Sequence, residues 1–177
     1  MNSRDSEEVI GMLVAQGYSL AGRPEEADAI LLNTCSVREH AEERAFSQMG
    51  RFQELKRERP EIILGILGCA AKTQREAIFR RLPGVDVIAG PAELYDLPFL
   101  LAEVQEKRQK VMAVGRRFRP LELKPAGEFR RPGASAFVTI MEGCDKRCSY
   151  CIVPFTRGME VSRPAADIVA EIAGLAE

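Results

Sequence analysis

The stretch Ala29-Ile30-Leu31-Leu32-Asn33-Thr34-Cys35-Ser36-Val37-Arg38-Glu39 decides the fold. Its apolar half reads as a short buried strand. Ser36 and Glu39 stand in capping-box spacing, so a helix should start right after Asn33-Thr34-Cys35. That helix carries Ala41, Ala45, Met49 and Phe52 on one stripe and should stop before Pro60. The pattern then recurs. Ile62–Leu67 forms a second buried strand ending in Gly68-Cys69, Thr73-Gln74-Arg75-Glu76 repeats the capping box, and Pro83 closes the helix it opens. Val85–Ala89 is a third strand, with Pro91 suited to start the helix after it. Upstream, Asp5 or Ser6 can cap a helix through Val9, Ile10, Leu13 and Val14, Gly17 suits its C′ position, and Pro24–Ala27 is a short turn.

Strands alternating with helices at this spacing indicate an α/β fold with a parallel sheet, whose strand C-termini share one edge. Open α/β sheets build their ligand sites at that edge. Cys35 and Cys69 each fall just past a strand C-terminus and should be spatial neighbours. A cysteine at a strand end is also a common small buried hydrophobe.

Composition narrows the function classes. Lys+Arg 25 against Asp+Glu 26 gives a net charge of −1, so no global basic field announces a nucleic-acid binder, and any RNA site must be local. No apolar run approaches the ~20 residues that span a bilayer, and Met1–Glu7 lacks the apolar stretch of a signal peptide. Five cysteines then read as reduced thiols and metal ligands in a cytosol rather than as a disulfide framework.

From Val111 to Ser135 the pattern breaks at Gly115, Pro120, Pro125, Gly127, Pro132 and Gly133, which marks a linker between a first unit over 1–110 and a second over 136–177. The linker carries Arg116, Arg117, Arg119, Lys124, Arg130 and Arg131, a run suited either to phosphates or to solvent. Beyond it, Ala136–Met141 reads as a strand leading into Gly143-Cys144-Asp145-Lys146-Arg147-Cys148-Ser149-Tyr150-Cys151, and a helix near Pro164 has Ile168, Val169, Ile172 and Leu175 as its apolar face. Cysteines in C-x3-C-x2-C spacing supply three thiolates. A four-iron cluster held by three thiolates keeps one iron open for the amino and carboxylate groups of S-adenosylmethionine. Structural zinc wants four protein ligands, and the only histidine, His40, is remote in sequence. Arg157, in Thr156-Arg157-Gly158, suits either a substrate- or cofactor-facing role or a backbone brace.

The C-x3-C-x2-C loop resembles the radical S-adenosylmethionine superfamily. Asn33–Glu39, together with Glu142 through Pro164, resembles its methylthiotransferase family, whose members carry two [4Fe-4S] clusters. The resemblance covers nearly the whole chain. It implies that Cys144, Cys148 and Cys151 hold the radical-generating cluster and that Tyr150 lies against the adenine of S-adenosylmethionine. It also implies that Cys35 and Cys69 are two of the three ligands of an auxiliary cluster that delivers sulfur. In the family the third ligand sits in a Gly-Cys-x-Met-Asn-x-x-Asp-Ser-Glu segment ending a first strand, and this chain begins at the Met1-Asn2 of that pattern. The sheet is thus expected to lack its first strand and to expose an edge suited to self-association. The rest of a partial barrel and a small RNA-binding domain are expected to be absent as well, so these residues alone should not turn over.

Ser36-Val37-Arg38-Glu39 favours the branch that adds a methylthio group to carbon 2 of N6-dimethylallyladenosine in the tRNA anticodon loop, with a reducing electron donor and no membrane. The other branches act on ribosomal protein S12 or on threonylcarbamoyl-adenosine. A different class of reading is a non-catalytic metal-binding module.

Overall fold

A computed structural model of the chain describes residues 2–37, 39–115, 129–130 and 133–176. The first strand, β1 (Ala29–Thr34), follows α1 (Asn2–Ala15) and a short 3-10 turn over Pro24–Glu26. Then come α2 (Glu39–Glu58), β2 (Ile63–Gly68), α3 (Cys69–Gln74), α4 (Glu76–Arg81), β3 (Val87–Ala89), a 3-10 segment over Pro91–Asp96, α5 (Leu97–Lys107) and β4 (Val111–Ala113). The four strands form one parallel sheet in the order β1-β2-β3-β4. The α/β class expected from the sequence is the observed one.

Every residue of β2 is buried because apolar layers cover both faces of the sheet. Leu64 and Ile66 point to a core with Phe46 and Met49 of α2 and Ile78 of α4, whereas Ile63 and Leu67 meet Val9 and Met12 of α1 and Leu97, Leu101 and Val104 of α5. Two-sided cover gives a continuous apolar run in place of alternation. The outer edge of β1 has no strand partner among the described residues. A groove of about 880 Å³ runs beside it, lined by α1, the 17–28 segment and β1.

Several elements differ from the sequence expectation. α1 starts at Asn2, so Asp5 and Ser6 lie within the helix, and Asp5 bonds elsewhere. Gly17 does take the left-handed conformation, φ +90°, that ends the helix. α3 starts at Cys69 and not after Thr73, because the Thr73 hydroxyl bonds back to the Cys69 and Ala70 carbonyls instead of capping a new turn. The break comes at Arg75, φ 48°, and α4 follows it. Val111 opens β4 and not a linker, and β4 pairs with β3 in register Val87↔Val111. The basic residues Arg116, Arg117, Arg119, Lys124 and Arg131, and Arg38 of the first capping box, lie outside the described residues.

The strand expected over 136–141 shrinks to β5 (Met141–Glu142), which pairs antiparallel with β6 (Val161–Ser162). A strand persists only where a partner meets its hydrogen bonds, and β6 is two residues long. Between them lies α6 (Val153–Arg157), and α7 (Ala165–Ala176) follows β6. The helix predicted near Pro164 is therefore present. Its Val169 and Ile172 are exposed rather than packed. No helix among the described residues is long and apolar enough to cross a membrane.

Candidate metal and cofactor centre

The register Thr34↔Gly68 sets the ends of β1 and β2 side by side, so Cys35 and Cys69, the next residues on each chain, share the carboxyl edge of the sheet. The sequence expectation that they are neighbours holds. Gly68 makes the approach feasible. Its φ of +86° is strained for any residue with a side chain, and a Cβ there would collide with Asn33 Oδ1 and the Thr34 carbonyl oxygen. Thr34 Oγ1 donates to the Leu67 carbonyl at 2.6 Å and locks the strand ends together. The start of α1 reaches the same edge, where Asn2 Nδ2 donates to the Asn33 carbonyl at 3.2 Å and Asn33 Nδ2 to the Asn2 carbonyl at 3.1 Å. Cys69 is buried, and Cys35 is half-buried.

The second cysteine group sits on a loop closed by its own backbone. β5 and β6 pair across its base, the Cys144 N–H donates to the Gly158 carbonyl at 3.1 Å, and the Glu160 N–H donates to Asp145 Oδ1 at 2.8 Å. Gly143, at φ +72°, leaves no room for a Cβ against the Gly158 and Met159 carbonyls. Within the loop the Cys151 N–H donates to the Cys148 carbonyl at 3.1 Å, folding the second and third cysteines into one turn. Cys148 is exposed, Cys144 and Cys151 are half-buried, and Tyr150 is 90% exposed.

α6 carries the loop to the sheet. It packs on α3 and on the Pro91–Asp96 segment. Arg157 Nη2 donates to Asp5 Oδ2 at 2.5 Å, the two side chains being 7% and 3% exposed. Burial disfavours the guanidinium charge, yet Asp5 and Cys69 beside it hold the Arg157 pKa above the ordinary arginine value. This arginine therefore joins α1, the Cys69 corner and the cysteine loop. The contact observed is a side-chain ion pair with Asp5 and not a brace on the backbone, and α6 itself carried no recognisable sequence signal.

A second set of ion pairs reinforces the junction. Glu171 of α7 pairs with Arg163 at 2.6 Å, with Arg130, and with Arg4 of α1 at 3.5 Å. Burial alone would raise the Glu171 pKa, but Arg163, Arg130 and Arg4 pull it below the usual carboxylate range. None of these charged partners was predicted, since only three-dimensional proximity brings them together.

All five cysteines are free thiols. Among the described residues no three Cys, His, Asp or Glu side chains converge closely enough to hold one metal ion. The donor set still fits an iron–sulfur cluster in kind, with three unpaired thiols on one glycine-hinged loop. Metal sites are often completed by the metal they bind.

A family model described as "Uncharacterized protein family UPF0004" matches residues 1–90, just over half of the chain. The chain belongs to the UPF0004 family. Its matched part contains the sheet edge with Cys35 and Cys69. Curated relatives include the tRNA-2-methylthio-N(6)-dimethylallyladenosine synthase of Methylococcus capsulatus, 46% identical over 179 residues, covering 100% of this chain and 39% of the relative. The proteins of that name from Aeromonas salmonicida and Cupriavidus necator are each 48% identical over 100% of this chain, with 37% and 39% of their own lengths covered. The chain thus spans less than two-fifths of the relatives it matches.

Proposed function

We propose that the chain is part of a radical S-adenosylmethionine enzyme that adds a methylthio group to carbon 2 of N6-dimethylallyladenosine in the tRNA anticodon loop. The observation that carries this reading is the pairing of two cysteine groups, one on adjacent strand ends and one on a closed loop, in a chain whose full length aligns with synthases of that name. Cys144, Cys148 and Cys151 hold a [4Fe-4S] cluster, and Tyr150 is exposed where the adenine of S-adenosylmethionine can lie against it. Cys35 and Cys69 supply two ligands of an auxiliary cluster. When bound, the loop cluster supplies an open iron for S-adenosylmethionine and, from a reducing donor, the electron that cleaves its S–C bond.

The chain's own residues hold the cysteines, bring the two groups together through Arg157 and wall Cys69 off from water. An anticodon-loop base splayed from its stack is the form of RNA that a protein reads by stacking and edge contacts. The reading places the enzyme in the cytoplasm. The edge of β1, which has no strand partner among the described residues, supports self-association of this chain through that edge, which sedimentation velocity over a concentration series tests.

The central test is iron and acid-labile sulfide per chain after anaerobic reconstitution, for the chain and for a Cys144/Cys148/Cys151→Ala variant. About four irons lost in the variant support the loop cluster. Tightly held zinc with no brown absorption would instead establish a non-catalytic metal module. Substrate choice is tested with the longer protein against isopentenylated tRNA and ribosomal protein S12.

A further inference from the structure

The buried pair Arg157–Asp5 spans 152 positions of sequence and ties the Met1–Glu7 start of the chain to the segment that follows the cysteine loop. Isolated, each charge would be costly in so dry a place, and such pairs rarely add net stability over apolar substitutes. What the pair does supply is a fixed geometry. Asp5 is anchored on α1, whose Val9 and Met12 are embedded in the core beneath the sheet. Arg157 ends α6, and the next residue, Gly158, accepts the Cys144 N–H. The guanidinium also lies beside Cys69. A movement of Arg157 therefore moves the backbone that holds Cys144 and uncovers Cys69 in the same stroke. The rest of the loop segment offers little apolar grip, since Phe155 and Met159 on either side of Arg157 are exposed.

We propose that Arg157, held by Asp5, is the positioning residue that docks the Cys144–Cys151 loop over Cys69 and so sets the spacing between the two cysteine groups. The inference rests on the two-group reading of the site proposed above. It assigns to the Thr156-Arg157-Gly158 stretch the task of joining the loop to the sheet, separate from binding substrate.

The test uses the intact, metal-free chain and reads the rate at which N-ethylmaleimide labels Cys69, resolved by peptide mass spectrometry, together with hydrogen exchange of the β2 amides. Arg157→Gln and Asp5→Asn should each speed Cys69 labelling about tenfold or more while β2 protection stays unchanged, the signature of local opening. In Arg157→Gln the cation beside the thiol is removed, which by itself can only slow the reaction, so acceleration there reports uncovering, and Asp5→Asn, which leaves the cation in place, is read only in agreement with it. Arg157→Lys, which keeps the charge, should stay within about threefold of the unaltered chain by the same local-opening logic. Labelling that is unchanged or slower in the Gln and Asn variants would overturn the proposal. So would labelling that rises only in step with β2 exchange, which marks a general stability element. If the Gln and Asn variants fail to fold, Arg157→Lys decides alone. Intact β2 protection with labelling within about threefold of the unaltered chain supports the proposal, and labelling accelerated beyond about threefold overturns it. Iron content after anaerobic loading, measured on the same chains, separates this result from the cluster reading. Absence of iron with the predicted labelling pattern removes the cluster and leaves the docking role standing.

Discussion

The sheet unit and the cysteine-loop segment are held by different forces. β2 has no exposed residue, and two apolar layers enclose it. The segment 133–176 leaves Phe137, Ile140, Phe155, Met159, Val169 and Ile172 exposed, and binds the sheet unit through Arg157–Asp5 and the arginines around Glu171. Apolar burial stabilises by roughly 25 cal/mol per Å² and is neither titrated by pH nor screened by salt. Charge pairs are worth less and respond to both. One cysteine group thus stands on a rigid platform, and the other is attached by contacts that solution conditions can loosen.

The comparison breaks first if the platform is less robust than its packing implies. Ile66→Ala in β2 should cost about 2–5 kcal/mol, because Ile66 is fully buried between β1, β3 and α2 and the truncation leaves a cavity in that layer. The urea midpoint of unfolding measures this, and a loss below about 1 kcal/mol would contradict the platform picture. Gly68→Ala comes next. A left-handed residue with a side chain costs of order 1–3 kcal/mol, and here the new Cβ also collides with the Asn33 side chain and the Thr34 carbonyl. The same midpoint should fall by that amount, with faster N-ethylmaleimide labelling of Cys69 as the local sign.

The platform was legible in the sequence because its elements obey local rules. Apolar runs bounded by turn residues mark β1, β2 and β3, and parallel alternation alone sets Cys35 and Cys69 at the same sheet edge. The errors fall where a side chain chose between two bonds of similar worth. Thr73 bonds back to the Cys69 and Ala70 carbonyls in preference to capping, and Asp5 meets Arg157 in preference to the helix N-terminus. The junction itself was invisible, since Arg4, Arg130, Arg163 and Glu171 lie far apart in sequence and belong to no periodic pattern. The three loop cysteines were evident from spacing, whereas the helix that docks them was not.

A pH series separates the two attachments. The folded Glu171 pKa lies below its unfolded value because three arginines surround the carboxylate. Its contribution is therefore complete above the unfolded value of about 4.3 and is lost as pH falls through the folded value. Hydrogen exchange of the α7 amides should accelerate as pH drops from about 5 toward 3, beyond the intrinsic pH dependence of exchange. β2 protection should hold over the same range. Glu171→Gln should make α7 protection low and nearly independent of pH there, and a retained pH dependence would point to other carboxylates at the junction.

The smallest expected effect tests the other half of the contrast. Ile172 is half exposed on α7, so truncating it removes apolar surface that water already covers. Ile172→Ala should change stability by no more than about 0.5 kcal/mol, the range of surface substitutions, offset in part by the higher helix propensity of alanine. Set beside Ile66→Ala, the same chemical change would then differ severalfold in cost between the two regions. A loss at Ile172 approaching that at Ile66 would mean that the α7 face is covered in solution by a second copy of the chain. The loss would then depend on protein concentration, because binding stabilises by mass action. A small, concentration-independent effect leaves the charged junction as what holds α7 in place.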